Sequence, residues 1–221
     1  MVSWIPLESN PDSMNLFLQQ TGVPQEWKIV DVFSLDKDML SFVPKPVLAL
    51  ILLFPVGSEK AEGGDPSIKN VYFMKQVVNN ACGTIALLHA IGNSPIQLNE
   101  GLLKLFFESN KDKDPMERGV SLLSEGGELA KTIAQIHEAC AIGGQTQAPD
   151  PNTHTPLHFV AIVKKDGAIY ELDGRKDGPI KHGETTDETF LEDAADVCKK
   201  FISKLPNSLD FNVVALTKSI E

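Results

Sequence analysis

Asp166-Gly167 stands between two runs rich in β-branched and apolar residues, 158–164 and 168–173. An Asp-Gly pair between strand-forming runs specifies a tight two-residue hairpin, because both residues tolerate left-handed backbone. The turn sets the register: Lys165 pairs with Ala168, and Asp173 falls opposite Val160. His158 lies two residues from Val160 and therefore on the same face. His158 and Asp173 become diagonal same-face neighbours, about 7–8 Å apart between backbones, within reach of an imidazole and a carboxylate. A slip of one residue would put them on opposite faces.

The longest apolar run, residues 47–54, is too short to span a bilayer and reads as a buried central strand. Asn10-Pro11 is an N-cap followed by a first-turn proline, and Gly22 ends that helix. Further strands are expected at 27–35, 71–75 and 211–217. Asp36 opens a short helix. Cys82, Ile85, Ala86, His89 and Ala90 repeat at helical spacing just after Asn79-Asn80. Residues 98–109 read as a helix, and 115–140 as a helical pair interrupted near Gly126-Gly127. Thr185-Thr186-Asp187-Glu188 is a capping signal for a helix reaching about Lys204. Residues 57–70 and 143–156 read as loops. The second contains Pro149, Pro151 and Pro156, and loops of that length are usually functional or disordered. No linker divides the 221 residues, which are expected to form one domain.

Hydrophobic residues make up 42% of the chain, enough for a sizeable core. The net charge of −10 disfavours a nucleic-acid partner and suits either solubility or a basic protein partner. Three widely spaced cysteines with no CxxC pair argue against a disulfide framework and for a reducing, cytosolic compartment. The N-terminal residues have no secretory pattern. His154 and His158 form HxxxH in a proline-rich loop rather than on a helix, and no glycine pair matches a phosphate loop. No metal or cofactor is therefore expected.

A thiol nucleophile needs a base, the base needs an orienting partner, and the resulting oxyanion needs a donor. Cys82 is placed at the first turn of a helix, where the macrodipole favours thiolate. His158 and Asp173 supply a base and its partner. Gln76 offers a side-chain NH2 to an oxyanion. Taken singly, each has a structural reading: a cysteine on an apolar stripe is core, His158 a satisfied histidine, and Asp173 a turn residue before Gly174. Geometry alone leaves a Cys-His-Asp hydrolase and these structural roles both open. Cys140 and Cys198 keep the core reading.

Several motifs run in order along the chain. They are Trp4-Ile5-Pro6-Leu7-Glu8-Ser9-Asn10-Pro11; Phe73-Met74-Lys75-Gln76 with Asn80-Ala81-Cys82-Gly83-Thr84; and Gly144-Gln145-Thr146 with Ala148-Pro149. Leu157-His158-Phe159, Tyr170-Glu171-Leu172-Asp173-Gly174-Arg175, His182-Gly183-Glu184-Thr185 and Phe211-Asn212 follow. Together they resemble the short, single-domain form of the ubiquitin carboxyl-terminal hydrolase family of cysteine peptidases, along nearly the whole chain.

The resemblance implies a papain-like α/β (α+β) fold, with a central antiparallel sheet flanked by helices and a knotted backbone. Residues 1–221 would be one catalytic domain, with an active-site crossover loop at about 143–156. It implies Cys82 as nucleophile, His158 as base and then acid, Asp173 as its partner, and Gln76 as oxyanion donor. Ubiquitin would be contacted by Pro6, Leu7, Glu8, Ser9, Asn10 and Pro11, by Ala141, Ile142, Gly143, Gly144, Gln145, Thr146, Gln147 and Ala148, and by Ser208, Leu209, Asp210, Phe211, Asn212 and Val213. The implied activity removes small adducts or short peptides from the C-terminal glycine of ubiquitin through a thioester, without a cofactor. A related ubiquitin-like modifier is a second candidate partner. The expected protein is a cytoplasmic monomer with the nucleus as a second location. Two competing readings are a ubiquitin-binding module with an idle triad and a cysteine acyltransferase using the same residues.

Overall fold

The structure, a computed structural model, describes residues 2–56, 61–123, 127–152 and 155–219. The first residues of the expected loop (57–60), Gly126 of the helical interruption and His154 lie outside the described residues. Among the described residues six strands form one sheet: β1 (Trp27–Asp31), β2 (Val47–Pro55), β3 (Leu157–Lys165), β4 (Ala168–Leu172), β5 (Ile180–Glu184) and β6 (Asn212–Lys218). Their spatial order is β1-β6-β2-β3-β4-β5, and every neighbouring pair is antiparallel.

The apolar run at 47–54 becomes β2, held between β6 and β3 and buried on both faces. Ala49 and Ile51 enter one core with Phe159, Ala161, Val163, Val214 and Leu216. Leu50 and Leu52 enter the other with Val160, Ile162, Val213 and Ala215. A strand with a core on each side has no use for polar alternation.

Helices cover both faces. Helices α1 (Pro11–Thr21), α3 (Cys82–Gly92), α4 (Leu102–Asn110) and α6 (Gly127–Ile142) supply the first core. Helices α2 (Lys37–Leu40) and α7 (Phe190–Ser203) supply the second, and α5 (Pro115–Val120) is a short connection beside α4. The expected caps of α1 are present: Asn10 Oδ1 accepts from the Asp12 N–H at 2.9 Å, and Gly22 is left-handed at φ 99°. The Asp166-Gly167 turn also forms as expected. Both residues have positive φ, 50° and 75°, and the ladder runs from Lys165↔Ala168 to Ala161↔Leu172.

Four expectations need correction, the first being α4, which begins at Leu102 rather than at residue 98. Residues 71–75 form no strand and join no sheet. Their backbone groups are satisfied one at a time by side chains and loops. Tyr72 N–H donates to Asn93 Oδ1, Met74 N–H to His89 Nε2, Lys75 N–H to Pro115 O and Gln76 N–H to Gly174 O. A largely buried segment needs partners for its polar groups, and a strand ladder is one source among several. Strand β1 ends at Asp31, short of the expected Leu35. Helix α7 starts at Phe190 because Thr186 and Thr189 cap each other's N–H groups through their hydroxyls at 3.3 and 3.2 Å, forming a turn first. Strand β5 was not anticipated. Its sequence, Ile-Lys-His-Gly-Glu, has no apolar alternation, and β4 alone holds it at the sheet edge.

Candidate active site

Cys82 is the first residue of α3. Its helix cap is Ala81, which makes no side-chain capping bond, so the first N–H groups of the helix stay available to an anion. Helix α3 is apolar on nearly every side and buried between the sheet and the helices above it, which holds its N-terminus rigidly. Gly83 permits the close approach of Leu7. A Cβ there would lie 3.0 Å from Leu7 Cβ and 3.4 Å from the Phe159 ring.

His158 is the second residue of β3, and Asp173 immediately follows β4. The hairpin brings them together as its register requires: His158 Nε2 donates to Asp173 Oδ1 at 2.8 Å, with both side chains at most 5% exposed. The Phe54 ring packs edge-on against the imidazole at 6.0 Å between centroids. Arg175 fixes the far side of the carboxylate. Its N–H and Nε donate to Oδ1 at 2.9 and 3.3 Å, and Nη2 donates to Oδ2 at 3.0 Å. Asp173 uses Nε2, which leaves Nδ1 as the imidazole nitrogen for Cys82.

The three titrations are coupled. Burial pushes the Cys82 thiol up, but the hydrogen bond and charge of His158, with the Phe159 and Gly83 N–H groups, outweigh it. The thiol lies below its ordinary value. Burial alone would lower His158, while Asp173 and Cys82 raise it above the usual histidine value. Burial alone would raise Asp173, yet His158 and Arg175 hold it well below the carboxylate range. Each direction favours a thiolate–imidazolium pair over a neutral one. The other cysteines differ: burial pushes Cys140 up to about 11 and Cys198 up to about 12. Both are free thiols in the core.

Gln76 is anchored beside the aspartate turn by its own N–H, which donates to Gly174 O at 2.8 Å. A Cβ on Gly174 would sit 3.1 Å from the Gln76 backbone nitrogen, so the close approach depends on that glycine. Gln76 Nε2 donates to Val78 O at 3.2 Å, leaving one amide proton uncommitted.

The three segments expected to bind a partner converge. Ser9 Oγ donates to Asn212 Oδ1 at 2.6 Å, and Glu8 Oε2 accepts from the Gln145 and Thr146 N–H groups at 2.7 and 3.4 Å. Within them Leu7, Asn10, Ala141 and Val213 are buried and serve the interior, whereas Leu209 is 96% exposed and Ile142 60%.

Sequence reasoning missed His137, on α6. Its Nε2 donates to Ile5 O and its Nδ1 accepts from Thr84 Oγ1, both at 2.7 Å. Burial pushes it down to about 4, so the ring stays neutral and keeps that acceptor. It thus ties the N-terminal segment to the helix that carries Cys82. No local pattern marks such a residue, because its partners lie 53 and 132 positions away.

An antiparallel sheet that places a buried His–Asp pair against a cysteine at a helix start defines a papain-like thiol hydrolase. The sequence model described as "Ubiquitin carboxyl-terminal hydrolase, family 1" matches residues 4–203, and the chain belongs to that family. Ubiquitin carboxyl-terminal hydrolase of Drosophila melanogaster is 42% identical, covering 98% of each chain. Ubiquitin carboxyl-terminal hydrolase 3 of Arabidopsis thaliana is 45% identical over 97% of this chain and 94% of its own. The fold is similar to that of the Trichinella spiralis UCH37 catalytic domain bound to ubiquitin vinyl methyl ester. That structure has a TM-score of 0.80 and 24% identity, and the match covers 100% of this chain and 97% of the other.

Proposed function

We propose that this protein is a deubiquitinating thiol hydrolase that releases small adducts and short peptides from the C-terminal glycine of ubiquitin. The observation that carries the reading is the constellation at Cys82: a thiol at the first residue of α3 beside a buried histidine that Asp173 orients. Family membership and the ubiquitin-bound UCH37 neighbour support ubiquitin as the partner. A ubiquitin-like modifier is a second substrate under this proposal. The protein acts as a monomer in the cytoplasm, where its free thiols stay reduced.

The Cys82 thiolate attacks the glycine carbonyl carbon. The carbonyl electrons move to oxygen, and the oxyanion accepts from Gln76 Nε2 and from a backbone N–H at the start of α3. As the tetrahedral intermediate collapses, the C–N bond breaks and imidazolium Nδ1 protonates the departing amine. Neutral His158 then takes a proton from water, which attacks the thioester and expels the Cys82 thiolate.

Reaction with ubiquitin carrying a C-terminal electrophile, followed by mass spectrometry of the adduct, tests the reading. Modification at Cys82 with turnover of a ubiquitin C-terminal amide reporter is expected. Binding without turnover would point to the idle module. Transfer of ubiquitin to excess amine in preference to water would point to the acyltransferase. Gln76→Ala is expected to lower kcat by about 10²–10³-fold with little change in KM, since the oxyanion exists only along the reaction path. A variant altered only in KM would assign Gln76 to binding.

A further inference from the structure

Lys75 precedes the oxyanion donor in the Phe73-Met74-Lys75-Gln76 motif. Its side chain is 19% exposed, so the ammonium relies on protein acceptors. Nζ donates to Lys176 O at 2.5 Å and to Arg175 O at 3.2 Å, and its third proton faces Asp177 Oδ1 at 3.4 Å. These acceptors belong to the turn that follows β4 and carries Asp173 and Arg175. The β3–β4 ladder ends at Ala161↔Leu172, one residue before Asp173, so strand pairing does not orient the carboxylate. The turn does. Lys176 N–H donates to Asp173 O at 2.9 Å, and the Arg175 N–H and guanidinium grip the carboxylate. Lys176 is anchored in turn by its ammonium, which donates to the buried Glu171 Oε1 at 2.6 Å. Residues 75 and 76 thus hold three consecutive carbonyls of the turn: Gly174 O through the Gln76 N–H, and Arg175 O and Lys176 O through the Lys75 ammonium. Among the described residues no other group donates to the last two.

We propose that Lys75 is a positioning residue for the thiol reaction: its ammonium locks the turn at 174–177 and thereby keeps the Asp173 carboxylate aimed at His158. This deepens the hydrolase reading above and rests on it. Lys75 makes no bond to Cys82, His158 or Asp173, so it acts only through the turn. Two carbonyls left without the ammonium draw water into the turn, and Arg175 and Asp173 shift with their backbone. Hydrogen bonds from a charged donor are worth about tenfold to a hundredfold in such an equilibrium. The ionisable groups that meet the imidazole are Asp173 and Cys82, and Arg175 meets Asp173 from the turn itself. With Asp173 displaced, His158 loses part of the charge that stabilises its imidazolium, and the Cys82 thiolate loses its partner.

Lys75→Met keeps most of the side chain's bulk and removes the charge and all three donors. Lys75→Gln keeps an amide donor and carries the test if the methionine variant does not fold, as judged by thermal melting. Lys75→Arg keeps the charge and the donors. The first readout needs no ubiquitin: the rate of iodoacetamide alkylation against pH, followed by mass spectrometry of the peptide holding Cys82. The second is kcat and KM on a ubiquitin C-terminal amide reporter. In Lys75→Met, and less so in Lys75→Gln, the acidic limb of the alkylation profile is expected to move to higher pH, because a thiol with a weakened imidazolium partner ionises later. The kcat is expected to fall about tenfold to a hundredfold with little change in KM. Lys75→Arg is expected to restore most of both. A variant that melts at lower temperature but keeps the wild-type limb has lost stability only, and overturns the positioning role. A moved limb with unchanged kcat overturns its part in the reaction. A limb that moves as far in Lys75→Arg as in Lys75→Met overturns the ammonium as the cause. If the wild type turns over no ubiquitin reporter, the hydrolase reading fails, and the alkylation profile still decides whether Lys75 positions the thiol–imidazole pair.

Discussion

Replacing Cys82 with alanine is expected to lower turnover of a ubiquitin C-terminal reporter by about 10⁴-fold or more, while ubiquitin binding persists. Covalent chemistry depends on the sulfur, and alanine removes it without adding bulk at a position that is 9% exposed. Cys140→Ala and Cys198→Ala are the controls. Both thiols are fully buried and held protonated, with values near 11 and 12, so each variant is expected to keep most of the activity. Steady-state kinetics alongside calorimetric binding of ubiquitin reads both quantities. Substantial turnover by Cys82→Ala would remove it from the mechanism, and near-complete loss in Cys140→Ala would redirect attention to α6.

Asp173→Asn is expected to reduce kcat/KM by up to about 10⁴-fold, because the carboxylate fixes which imidazole nitrogen carries the proton. Both carboxylate oxygens accept: Oδ1 from His158 Nε2 and two Arg175 groups, Oδ2 from Arg175 Nη2. An amide NH2 in either position faces a donor. If it turns toward His158, Nε2 becomes an acceptor and the proton moves to Nδ1, the nitrogen that must accept from Cys82. The charge is lost as well. Asp173 raises the His158 pKa, so without it the imidazolium deprotonates at lower pH and the thiolate loses its partner sooner. The basic limb of the pH–rate profile is therefore expected to move to lower pH. A variant with a wild-type profile and a uniformly reduced rate would leave Asp173 with a structural role.

The His–Asp pair was legible because it is local. The Asp166-Gly167 turn sets the register of two adjoining strands, and strand periodicity carries it to His158 and Asp173. The placement of Cys82 was also legible, since the apolar repeat after Asn79-Asn80 marks a helix start. The strand expected at 71–75 does not form, because its backbone groups find other partners. Side chains of His89 and Asn93, on and just after a helix that follows in the chain, took the place of a neighbouring strand. Strand β5 lacked a pattern because a half-exposed edge needs little apolar surface.

Local spacing and turn chemistry thus determined the helix under Cys82, the hairpin joining base and carboxylate, and the central strand β2. The resemblance of ordered motifs supplied the family. Only the tertiary structure decided what joins these pieces: Arg175 gripping Asp173, His137 bridging Ile5 and Thr84, Gln76 hung from Gly174, and Asn80 clasping Trp4 and Pro151. Half of these bonds join a side chain to a distant backbone group, and every peptide offers the same N–H and C=O. The sequence therefore carries no sign of which carbonyl a given side chain will meet until packing brings the two together.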